Sequence, residues 1–117
     1  MSFATFIIPS KGRKTLANTL ISLYTQEDND WDAVVCFDGV EPTIEQLDWK
    51  ITPVVTPSKI GTGVNGAGKV RNYALDYHDK NKYTFDTVFY CLVDDDDALC
   101  PTYVSNLKKE FDKHKHA

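Results

Sequence analysis

The apolar residues of this chain fall into strand-sized runs separated by stretches of helical period, and that alternation limits the available folds more than any other feature. "FATFIIP" (3–9) opens the series, and Leu16, Leu20, Leu23 and Tyr24 after it share one face of a helix. "WDAVVCFDG" (31–39) reads as a second strand, "TIEQLDW" (43–49) as a short helical piece, and "ITPVVT" (51–56) as a third, weaker strand. Val70, Tyr73, Ala74 and Tyr77 mark a second full helix, and "DTVFYCLV" (86–93) a buried fourth strand. Pro101 stands where a first helical turn tolerates it; Tyr103, Val104, Leu107 and Phe111 then form a last amphipathic face before the frayed tail "KHKHA". Strands rich in Val, Ile and Phe and joined through helices imply βαβ crossovers and a mainly parallel sheet covered on both faces. The expected class is α/β, with four strands flanked by helices.

At 117 residues the chain has room for one domain and one active cleft. A net charge of −4 argues against nucleic acid as a partner, because a nucleic-acid binder normally carries a basic face. No apolar run is long enough to span a membrane and the N-terminus has no secretory leader pattern, so a cytoplasmic location is expected. Of the three cysteines, Cys36 and Cys91 sit inside apolar runs and Cys100 near a turn; the odd number and irregular spacing make no disulfide framework, and the first two read as small core residues.

Parallel strands place all their C-terminal ends along one edge of the sheet, where open α/β folds hold their ligands. Here that edge gathers Pro9 and Ser10 from strand one, Asp38 and Gly39 from strand two, and Asp94, Asp95, Asp96 and Asp97 from strand four. Two carboxylates about 5 Å apart repel by roughly 3 kcal/mol at an effective dielectric near 20, so such a rim is costly unless something offsets it. Splaying into water and capping the next helix is one solution; surrounding a hard divalent cation is the other. The apolar approach "VFYCLV" favours the cation, and Mg2+ or Mn2+ suits a site that takes carboxylate, phosphate and water together. Asp38 before Gly39 reads either as an ordinary Asp-Gly turn or as part of the site. Lys69 and Arg71, early in the second full helix, read either as solvated surface or as phosphate ligands.

"GTGVNGAGKV" (61–70) contains both G-x-G-x-x-G and G-x-x-x-x-G-K. A P-loop would follow its strand directly and end in Ser or Thr, whereas Val70 holds that place and "PSKI" intervenes. A dinucleotide fingerprint belongs in the first βα turn, which here reads "PSKGRK". Neither pattern sits in its proper context; a P-loop NTPase stays as a minor competitor, and the glycines read as a loop passing close to a ligand held by other residues.

Taken together and in this order, "FIIPSKGR", "AVVCFDG", "GAGKVRNYAL" and "FYCLVDDDDALCP" resemble the nucleotide-binding half of family 2 glycosyltransferases with the GT-A fold, a Rossmann-like arrangement, from about Phe3 to Phe111. The resemblance implies a transferase that moves a sugar from a nucleoside diphosphate, such as a UDP- or GDP-sugar, to an acceptor hydroxyl, usually with inversion, using Mn2+ or Mg2+. Carried over by motif, Pro9 and Ser10 would line the base and ribose site, Asp38 would hydrogen-bond the base, and Arg71, with Lys69, would face the diphosphate. Asp94 or Asp95 would hold the ribose, Asp96 would bind the metal, and Asp97 would contact the sugar or cap the helix.

Phe37, Val40 and Val70 depart from the residues usual in that family, and no catalytic base is identifiable. Family members continue past the helix after the acidic motif with acceptor-binding strands, so a chain of this extent is expected to expose an apolar flank and to form a homo-oligomer. Holding a nucleotide-sugar without transferring it is the alternative function. His114 and His116 in the tail and His78 near a helix end carry no site reading, and Trp31 and Trp49 beside strands read as packing residues.

Overall fold

The computed structural model describes residues 3–42, 50–61, 66–81 and 88–115. Within them the alternation becomes β1 (Ala4–Ser10), α1 (Leu16–Tyr24), β2 (Trp31–Phe37), β3 (Ile51–Val55), α2 (Gly66–Asn81), β4 (Phe89–Leu92) and α3 (Tyr103–Lys115). The expected helical piece at 43–49, with Trp49, and the first residues of the expected fourth strand lie outside the described residues.

All four strands run parallel in the order β3-β2-β1-β4. Because side chains alternate along a strand, the apolar runs sort into two layers. On one face Phe6, Ile8, Val35, Phe37, Cys91 and Val93 pack with Leu16, Leu20 and Leu23 of α1 and Val104 of α3. On the other, Ile7, Val34, Cys36 and Val54 meet Val70 and Ala74 of α2. Trp31 is buried as expected, edge-on to Phe6 and Tyr24, with the Lys50 ammonium 4.0 Å above its ring.

The chain proceeds from β1 outward through β2 to β3 and then returns to the far side of β1 for β4, so the β1–β4 boundary is a topological switch point. Pro9 helps to open it. Ile7 C=O accepts from Val93 N–H on the β4 side, whereas Ser10 C=O accepts from Asp38 N–H on the β2 side. By alternation Pro9 also faces β4, where it has no N–H to give, and β1–β4 pairing stops at Ile7 and Leu92.

The fourth strand differs from expectation. Among the described residues β4 pairs only with β1 and forms an edge; Cys91 is buried toward α3, while Val88, Tyr90 and Leu92 are exposed, Leu92 to 54%. The apolar composition of "VFYCLV" resembles that of a buried strand, but α2 covers β1 and β2 rather than β4 on that face. At the opposite edge β3 tolerates Pro53, as edge strands do.

Gln26 fixes where α3 begins. Its amide Nε2 donates to Cys100 C=O at 2.7 Å and its Oε1 accepts from Val104 N–H at 3.1 Å, so this buried side chain caps the helix. Glu27 N–H donates to Pro101 C=O and Leu99 N–H donates to Ser22 Oγ, which ties the segment after the acidic run to the end of α1. Asp97 is not the helix cap: its Oδ2 accepts from Asp94 N–H within the acidic turn itself.

Burial, and secondarily the nearby Asp38 carboxylate, pushes the Cys36 thiol up to about 12, and burial raises Cys91 as well, while Cys100 is exposed. The thiolate is the reactive form. An aromatic disulfide reagent at pH 8 should therefore label Cys100 rapidly and the other two only after denaturation. Fast native labelling of two or three thiols would contradict this packing.

Candidate functional site

The switch point opens into a cleft of about 470 Å3, lined by Pro9, Ser10, Lys11 and Arg13 after β1, Asp38 after β2, Gly61 and Val70 near α2, and Asp94 and Asp95 after β4. That volume lies within the range of small-molecule sites, roughly 300–1,000 Å3. A smaller recess of about 160 Å3, lined by Lys11, Asp38, Val40, Lys59 and Gly61, adjoins it through three shared residues.

Asp95 is the buried member of the acidic run, 2% exposed. Ser10 Oγ donates to its Oδ2 at 2.9 Å, and Arg13 Nη2 lies 2.7 Å from its Oδ1, so both oxygens are satisfied. The local sequence makes this possible. Gly12 takes φ 77°, which turns the chain back after Ser10, and its N–H donates to Ser10 Oγ; Arg13 is thereby delivered to the same carboxylate that Ser10 touches. The hydrogen bond and charge of Asp95 raise the Arg13 guanidinium further above its ordinary value.

The other three acidic side chains are exposed. One carboxylate oxygen from each of Asp94, Asp96 and Asp97 lies within 4.8 Å of the others, against about 4.2 Å across a shell of oxygens 2.1 Å from an ion. Arg71 Nη2 pairs with Asp94 Oδ1 at 2.9 Å, and Arg13 Nη1 stands 3.9 Å from Asp96 Oδ2. Four carboxylates set against two guanidiniums leave two formal negative charges. In donor chemistry and residual charge, the three exposed carboxylates could hold a hard divalent cation. Among the described residues, Arg71 Nε is buried with no hydrogen-bond partner.

Asp38 is buried and already engaged. Its Oδ1 accepts from Ile60 N–H at 2.8 Å and its Oδ2 from Gly61 N–H at 3.0 Å, so it anchors the loop after β3 as well as lining the cleft. The same contact explains the glycines. A Cβ on Gly61 would lie 2.6 Å from Asp38 Oδ2, and one on Gly66 would lie 2.5 Å from Gly61 C=O, whereas nothing approaches Gly68 within 4 Å. Glycine at 61 and 66 thus allows loop, helix and carboxylate to pack together; residues 62–65 lie outside the described residues.

Of the residues singled out in the sequence, Pro9, Ser10, Asp38, Asp94 and Asp95 line one cleft, Asp96 and Asp97 stand beside it, and Arg71 reaches it through Asp94. Lys69 is exposed on α2 and does not line the cleft. Arg13 and Lys11 were not anticipated; the signal available was a basic pair flanking Gly12 in the first βα turn, facing an acid-rich rim.

The fold and site together define an open α/β domain of GT-A type, four parallel strands with three described helices and an acidic switch-point cleft. Among solved structures, S. aureus TarS 1–349 is similar: TM-score 0.75, 22% identity, 98% of this chain and 33% of that one. TarS 1–349 in complex with UDP-GlcNAc and in complex with UDP match at TM-score 0.71 and 20% identity, each over 98% of this chain and 32% and 33% of theirs. The chain thus spans about a third of the length of TarS 1–349. No protein-family model and no curated protein matches the sequence. Among the described residues no helix is long and apolar enough to cross a membrane.

Asp38→Ala leaves two loop amides without acceptors and should cost about 1–3 kcal/mol in urea unfolding, with faster hydrogen exchange at Ile60 and Gly61. Asp96→Ala, at an exposed position, should stay within about 0.5 kcal/mol of wild type. Equal losses at the two positions would refute the assignment of Asp38 as the loop anchor.

Proposed function

We propose that the cleft binds a nucleoside-diphosphate sugar, a UDP-sugar in the first instance, with Mn2+ or Mg2+, and that the domain serves transfer of the sugar to an acceptor hydroxyl, with inversion. The observation that carries this reading is the convergence of Ser10, Asp38 and the acidic run on one switch-point cleft, in a fold matching a UDP-GlcNAc complex along nearly the whole chain.

In this reading Pro9 and Ser10 line the nucleoside side, next to the recess beside Asp38 and Val40. Asp38 acts on the base mainly by fixing the loop after β3, since its oxygens already accept two amides. Asp95 holds Ser10 and Arg13 in place, and Asp94 is the exposed carboxylate available to a ribose. Asp96 is the principal metal ligand, and Asp97 stands next to it toward the sugar. Arg71, which reaches the rim through Asp94, brings positive charge toward the diphosphate, with Lys69 adding charge from α2. A divalent ion held there would neutralise charge developing on a departing diphosphate.

Calorimetric titration with UDP should give Mn2+-dependent binding that Asp96→Ala weakens by at least about tenfold, or 1.4 kcal/mol. Lys69→Ala should have the smaller effect. The reverse weighting, with ATP preferred over UDP, would favour a P-loop NTPase. Tight UDP-sugar binding without transfer to any acceptor would make the domain a nucleotide-sugar-holding module.

A further inference from the structure

Arg13 has a position that nucleotide binding alone does not require. It is carried on the Gly12 turn, its Nη2 fixed on buried Asp95 at 2.7 Å and its Nη1 3.9 Å from Asp96, yet its side chain is 56% exposed and lines the cleft. A guanidinium has five N–H donors in a rigid fork, so the contact to Asp95 leaves others available to the cleft. Arg71, by contrast, meets the run only at Asp94.

We propose that Arg13 is the resident counter-ion of the acidic run and couples cation binding to diphosphate binding. This inference rests on the nucleotide-binding reading above and adds to it a residue with a distinct task. Without nucleotide, the guanidinium offsets Asp95 and Asp96 and opposes a bare divalent ion at Asp96, because like charges are held close together. When the ion arrives with a diphosphate, the same guanidinium faces new negative charge from its exposed side, and repulsion gives way to attraction. Arg13 therefore makes each ligand improve the affinity of the other by an equal factor, as linkage requires. Asp95 holds it in place, and it acts by its charge on the ion beside Asp96 and on the diphosphate at its exposed side.

The test measures the Mn2+ dissociation constant by electron paramagnetic resonance of the free ion, with and without saturating UDP, in wild type, Arg13→Gln and Arg13→Lys. Arg13→Gln should bind bare Mn2+ about tenfold more tightly while the gain on adding UDP shrinks by about tenfold or more, and Arg13→Lys should restore much of that gain. A residue needed only for folding would weaken both measurements together, and that result overturns the proposal, as does an unchanged coupling. If Arg13→Gln does not fold, the wild-type protein decides: the Arg13 Nε–H resonance of 15N-arginine-labelled protein should move on adding Mg2+ with UDP, and a stationary signal refutes the idea. Wild type that binds neither Mn2+ nor UDP would overturn the nucleotide reading itself, an outcome distinct from intact binding with silent Arg13 variants.

Discussion

The contact between Ser10 and Asp95 joins residues 85 positions apart and closes the geometry on which the site depends. It links the end of the central strand to the start of the acidic run across the switch point, where the sheet's own hydrogen bonding has already stopped. A carboxylate buried there without partners would carry a large desolvation cost. Ser10 and Arg13 offset it, and both come from one short turn whose glycine has the required backbone conformation. The remaining aspartates can then stay exposed, because the run is held at Asp95 and, further on, by the contacts of Gln26 and Ser22.

This arrangement distributes roles among residues that look alike in sequence. Four consecutive aspartates have different environments because the chain leaves β4 and turns: Asp95 points inward, while Asp94, Asp96 and Asp97 stay in water. Only the exposed three can contribute oxygens to an ion shell without first breaking a buried contact. Asp38, the other acid of the rim, is occupied differently again, as acceptor for two loop amides.

Much of this was legible from residue pattern. Strand-sized apolar runs and faces of period 3.6 located every described strand and helix, and parallel topology alone predicted that Ser10, Asp38 and Asp94 to Asp97 would share a rim. Pattern failed where tertiary position decides. "VFYCLV" has the composition of a buried strand, but its edge place in the sheet exposes Val88, Tyr90 and Leu92. The motif leaves Asp97 two roles, sugar contact or helix cap, and Gln26, remote in sequence, performs the second. Arg13 went unassigned because no local pattern says that a turn residue will fold back onto a carboxylate more than eighty positions later. The glycines of "GTGVNGAGKV" read as a loop passing close to a ligand; Gly61 does line the cleft, and Gly61 and Gly66 answer as well to close packing with Asp38 and α2.

The central claim is that the exposed aspartates beside the switch-point cleft hold a divalent ion together with a diphosphate. Crystals grown with excess Mn2+ and UDP test it most directly through anomalous scattering near the manganese edge. The account predicts a strong peak about 2.1 Å from an Asp96 carboxylate oxygen, with the diphosphate on its far side. Well-ordered UDP in the cleft with no such peak, or manganese bound elsewhere while the rim stays bare, would contradict it.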